Sequence, residues 1–169
     1  MASELWARAG ESPCHLLFRV HHADSGTIRS AGDGFRTQNC DWLRDEEEFY
    51  DALEDHLDFY NDEHTPFISV SDSATSAANR ARWMKEQGYR NVRIAVIDPS
   101  AVGNRALNVR RAAAYLGLHI KARVFPYTAG ELVYLRHIPE DAVDREYSNL
   151  GHFCRAFGGS RGTREFGTS

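Results

Sequence analysis

A single α+β domain is predicted by three features. Short aromatic and β-branched runs are bounded by turn residues, apolar stripes at helical spacing lie between them, and a length of 169 residues suits one substantial core. With 42% hydrophobic residues, nine Phe, seven Tyr and three Trp, the chain has the apolar payload that disordered sequences lack.

The run from His15 to Val20 is short, apolar and β-branched, and reads as a buried strand with Arg19 inside it. From Ala23 to Asn39, Gly26, Gly32 and Gly34 among Asp, Ser and Thr read as a loop, with a turn at Asp33-Gly34, beside that strand. Phe49, Leu53, Leu57 and Tyr60 recur at helical spacing between Asp45 and Asn61, and the acidic run from Asp45 to Glu48 suits a helix N-terminus. Pro66 to Ser71 reads as a second strand. A helix with Ala77, Ala81 and Met84 inward follows, capped by Ser73 or Thr75, running to Gln87 and closed by Gly88.

Val92 to Ile97 alternates into a third strand ending at Asp98-Pro99. Ala106, Val109, Ala113 and Leu116 mark a helix closed by Gly117, and Leu118 to Phe125 reads as a strand. Glu131 to Leu135 is a further short strand, with Pro139 starting a turn or a single helical turn. The predicted organisation is an N-terminal extension over 1–14, a domain over 15–157 and a disordered, Gly-rich tail over 158–169.

A formal net charge of −4 argues against affinity from general attraction to nucleic acid, while leaving room for a local basic groove. Cys14, Cys40 and Cys154 have spacings that suit neither a disulfide framework nor a zinc site, and read as free thiols. Adjacent His21 and His22 point to opposite faces of a strand, so a shared metal is not expected. The first residues lack the apolar run of a signal peptide or membrane span, which predicts a cytoplasmic or nuclear protein with no membrane partner, with export by a route that uses no cleavable signal as the alternative. Arg105, Arg110 and Arg111 read as a charged outer helix face, and Trp83, Tyr127 and Tyr134 as core or rim aromatics.

Polar residues inside apolar strands are the anomaly, because a strand core disfavours an unpaired charge or hydroxyl. They are Arg19, Ser69 with Ser71, and Glu131. Leu17-Phe18-Arg19 with Asp24-Ser25, then Gly34-Phe35, then Phe67-Ile68-Ser69-Val70-Ser71, then Glu131 ahead of Ile138-Pro139, follow one another over residues 16–143. In this order they resemble the Arg, Ser-Thr-Ser and Glu motifs of the cholera-toxin-like ADP-ribosyltransferases.

That resemblance implies a split, mixed β-sheet with flanking helices around an NAD cleft. It implies cleavage of the nicotinamide–ribose bond of NAD as substrate, without a metal, and transfer of ADP-ribose to a protein or nucleic-acid acceptor or to water. Glu131 takes the catalytic place, where a carboxylate can orient the ribose and stabilise its developing positive charge. Arg19, Ser69, Ser71, Gly34 and Phe35 take the cofactor-binding places, with the Arg19 guanidinium suited to phosphate and sugar oxygens. Two departures stand out: Ala129 replaces the acceptor-side carboxylate or amide of the family, and Arg136-His137 replaces a Gly-Gly turn. The first bears on transfer more than on cleavage. The second places side chains that can block the cleft or bind a charged partner. The alternative is a catalytically silent module of this fold that binds a protein or nucleotide.

Overall fold

The computed structural model describes residues 2–58 and 64–158. Five α-helices and two antiparallel sheets make up the described α+β fold. The larger sheet contains β1 (Gly10–Glu11), β2 (Leu17–His21), β5 (Phe67–Ser71), β6 (Arg93–Ile97), β7 (Ala106–Asn108), β8 (Glu131–Leu135) and β10 (Val143–Tyr147). Its strand order is β1-β7-β8-β5-β2-β6-β10. The smaller sheet pairs β3 (Thr27–Ser30), β4 (Gly34–Thr37) and β9 (His137–Ile138). The helices are α1 (Ala2–Ala9), α2 (Glu46–Leu57), α3 (Ala74–Glu86), α4 (Val109–Leu116) and α5 (Leu150–Phe153).

Every strand pair is antiparallel, which corrects the mixed sheet that the resemblance implies. The β5-α3-β6 unit does carry two strands in the same direction, but β2 is inserted between them and runs opposite to both. The sheet is nonetheless weakly joined at its centre. β2 and β5 share one register pair, Phe18↔Ser71, whereas β2 with β6 and β5 with β8 each share five.

Three apolar clusters hold the layers. Helices α1, α2 and α4 bury Leu5, Phe49, Leu53 and Val109 against Phe67, Leu107 and Val133. Residues 1–14, read from sequence as an extension, thus contribute Leu5 and Ala9 to the core and β1 to the sheet. Leu17, Ile68, Tyr134, Phe35 and Ile138 fill the space between the two sheets. Helix α3 seals the remaining area with Ala77, Ala81 and Met84 against Phe18, Val20, Ile94 and Val96.

Local chemistry accounts for the element boundaries. The Asp45 side chain accepts from Glu48 N–H at the start of α2, and Ser73 accepts from Ser76 N–H at the start of α3. Gly88 and Gly117 close α3 and α4 with φ of 85° and 71°. The predicted helix from Ala106 is shorter, because Ala106–Asn108 pairs with β1 and β8, and Asn108 caps a helix beginning at Val109. The predicted loop from Ala23 to Asn39 contains the β3–β4 hairpin. The predicted strand from Leu118 to Phe125 is absent: the Lys121 carbonyl accepts from Val124 and Phe125 N–H, turning the chain into a short 3-10 helix over Phe125–Thr128. Tyr60 of the predicted α2 stripe, Asn61 and most of the predicted tail lie outside the described residues.

Candidate functional site

Helix α3 on one side and the 123–131 segment on the other enclose a cleft of about 800 Å³ over the weak β2–β5 seam. Arg19, Ser69, Ser71 and Glu131 all line it, although Arg19 and Glu131 stand 112 positions apart in sequence. Where β2 and β5 diverge, the Arg19 guanidinium takes the place of the missing ladder. Its Nη1 donates to the Ser69 carbonyl at 3.0 Å and its Nη2 to Thr27 Oγ1 at 2.9 Å. Its Nε is buried without a partner among the described residues. Burial and the nearby Arg80 charge push Arg19 down to about 10, so it stays a cation at neutral pH.

Ser69 joins two other polar side chains. Its Oγ donates to Glu131 Oε1 at 2.7 Å and lies 2.6 Å from His56 Nε2. His56 Nδ1 lies 2.8 Å from Thr65 Oγ1, which completes a chain Thr65–His56–Ser69–Glu131. A hydroxyl carries one proton, so with Ser69 donating to an ionised Glu131 the His56 ring donates from Nε2 and accepts at Nδ1. A protonated Glu131 reverses all three bonds, with the neutral ring accepting at Nε2 and donating from Nδ1 to Thr65 Oγ1. Burial holds the ring neutral, pushing His56 down to about 3 with Arg19 and Arg80 adding to the effect. Burial raises Glu131, against the opposing influence of Arg80, Ser69 and Arg19. A partly buried carboxyl beside a neutral histidine and a partly buried cation is a constellation suited to electrostatic work on a bound ligand.

His56 is one of two residues of the site that the sequence reading does not single out. Its signal was present: counting from Phe49, position 56 falls on the buried α2 stripe that holds Leu53 and Leu57, a polar residue on an apolar face. Arg80, exposed on α3 and lining the cleft, was missed because an arginine on an amphipathic helix carries no distinctive pattern.

The other predicted positions divide. Ser71 lines the cleft, but its Oγ accepts from Ser73 N–H at 3.1 Å and so helps turn the chain into α3. Gly34 and Phe35 are not among the cleft-lining residues. Phe35 is fully buried, edge-on to His21 at 4.9 Å between ring centroids, and Gly34, at φ 87°, brings the backbone against the Ile138 carbonyl. Their place is the joint between the sheets. Arg136 and His137 do not line the cleft, because Arg136 leads into β9 and its carbonyl accepts from Thr37 N–H at the small sheet. There the Arg136 guanidinium lies 3.2 Å over the Trp42 ring and His137 Nε2 lies 2.6 Å from the Asp33 carbonyl. Arg136 adopts φ 63°, the left-handed conformation that a glycine would hold without strain.

Ala129 stands on the cleft wall two residues before Glu131. Arg110, read as a surface charge, donates to Thr128 Oγ1 and the Phe125 carbonyl, fixing the 3-10 turn of that wall. Among the described residues no cluster of His, Cys, Asp or Glu is arranged to hold a metal ion, and no helix is long and apolar enough to cross a membrane. Cys14 and Cys40 are exposed, and Cys154 is half-buried.

No curated protein and no solved structure matches the chain. Residues 12–149 match the family model described as a domain of unknown function (DUF7587), and the chain belongs to that family.

Proposed function

We propose that the cleft binds NAD and cleaves its nicotinamide–ribose bond, and that the protein is a mono-ADP-ribosyltransferase or an NAD glycohydrolase. The observation that carries this reading is the continuous contact Arg19–Ser69–Glu131 along one cleft wall. As the bond breaks, its electron pair leaves with the nicotinamide nitrogen and positive charge grows on the ribose. Glu131, when ionised, stabilises that charge and orients the ribose hydroxyls. Ser69 and His56 hold the carboxylate in place, and Arg19 offers its partly buried cation to phosphate or sugar oxygens. An acceptor then adds at the ribose carbon and loses a proton. Ala129 supplies no carboxylate to activate a protein side chain, which favours water as the acceptor.

The same substitution supports a second reading, in which the cleft binds a nucleotide or protein without turnover. Nicotinamide release from NAD by the purified protein separates the two. Release above a no-enzyme control supports the enzyme, saturable NAD binding without release supports the silent module, and the absence of both removes the NAD reading.

A further inference from the structure

The walls of the cleft carry features that NAD cleavage leaves unused. Among the described residues, Arg80 and Arg123 line it beside Arg19, and Glu131 is the acidic member of that lining, in a chain whose formal net charge is −4. The inversion is written in the sequence of both walls: neither Asp nor Glu occurs from Ala74 through Lys85, nor from Gly103 through Gly130. Charge this segregated gives a local positive field on an acidic protein.

Exposed aromatic rings lie in the same place. Of the seven exposed large apolar or aromatic side chains among the described residues, Trp83, Tyr89 and Tyr127 line the cleft and Phe125 adjoins it. Trp83 is 51% exposed, Tyr89 42% and Tyr127 65%, although burying such rings is ordinarily favourable. They are also ordered against neighbours. Trp83 and Tyr89 rings are 6.3 Å apart at 42°, and His22 stands 4.5 Å from Tyr89. On the facing wall the Arg110 guanidinium lies 3.8 Å over the Phe125 ring and holds the turn that presents Tyr127. Ordered rings interleaved with arginines combine base stacking with attraction to phosphates.

We propose that the two walls of the cleft bind a single strand of nucleic acid, with its bases stacked on Trp83, Tyr89 and Tyr127 and its phosphates against Arg80 and Arg123. A duplex keeps its base faces stacked internally and cannot use the rings, so the site discriminates against it. This binding goes beyond NAD cleavage and requires no NAD.

Fluorescence anisotropy with a dye-labelled oligothymidine strand tests the proposal in low salt without NAD. Saturable binding that weakens steeply with salt is expected. Trp83→Ala and Tyr127→Ala should each weaken it by roughly tenfold to hundredfold, and Arg80→Glu should weaken it and flatten the salt dependence. Thermal melting checks that each variant is folded, and the two aromatic variants on opposite walls substitute for one another if one is not. Absence of binding by the folded wild type overturns the proposal. So does equal affinity for a duplex or for heparin, or binding undiminished by the folded aromatic variants. Nicotinamide release is measured without nucleic acid, so either reading can fail alone.

Discussion

The His56 Nε2 and Ser69 Oγ atoms lie 2.6 Å apart, and this contact links a buried helix position to the strand that supports Glu131. His56 holds Ser69, and Ser69 holds the carboxylate, so a substitution on helix α2 acts on Glu131 through two hydrogen bonds.

The first prediction concerns the carboxylate. Glu131→Gln retains shape and one carbonyl acceptor but removes the charge. It should leave NAD binding near wild type and reduce nicotinamide release by roughly 100-fold to 1000-fold. Arg19→Ala should weaken NAD binding itself. Undiminished release by Glu131→Gln would place the catalytic carboxylate elsewhere.

The neutral histidine makes stability depend on pH. His56 is held at about 3 in the folded protein against an ordinary 6.5, so between those values the unfolded chain binds a proton that the folded protein refuses. Stability from the neutral ring is therefore present above the ordinary value and lost as pH falls toward the folded one. His56→Gln does not titrate, so its stability deficit relative to wild type should shrink between about pH 7.5 and about pH 5. Glu131 titrates in both proteins. Urea unfolding at the two pH values measures the gap, and a gap that does not change would contradict the assignment.

Glu146 makes a contribution of the same sign, at lower pH. Its carboxylate bonds His21 at 3.1 Å and Arg29 Nε at 2.9 Å, and these partners, His21 foremost, hold it down to about 2 from an ordinary 4.5. Arg29 also pairs with Glu140, which ties the β3–β4 hairpin to the large sheet through the 3-10 turn over Glu140–Ala142. The stabilisation is full above the ordinary value and is lost as pH falls toward the folded one. Glu146→Gln should cost about 1–3 kcal/mol near neutrality, with the deficit fading under acid conditions in the same unfolding assay.

Gly34 separates a structural from a ligand-binding role. At φ 87° an added Cβ would be strained and would also run into the Ile138 carbonyl. Gly34→Ala should lower stability by about 1–3 kcal/mol, read as a fall in Tm. If it instead left Tm unchanged and weakened NAD binding, Gly34 would belong to the ligand site.

Sequence alone determined the elements whose signals are local. The α2 and α3 stripes, the Asp45 and Ser73 caps, and the β2, β5, β6 and β8 runs are set by period, capping and β-branching within a few residues, and they recur in the structure within short boundary shifts. The polar anomalies Arg19, Ser69 and Glu131 were legible because each interrupts an apolar run. Tertiary structure decided what pairing across distance controls. The insertion of β2 between β5 and β6 kept these two like-directed strands from pairing in parallel, and β7 was claimed from a predicted helix by partners on either side. It also carried Gly34, Phe35, Arg136 and His137 away from the cleft, because the hairpin and β9 form a second sheet. His56 and Arg80 joined the site for the same reason: a side chain's ligand environment depends on which elements pack together, and hydrophobic period fixes the buried face of a helix without naming what it faces.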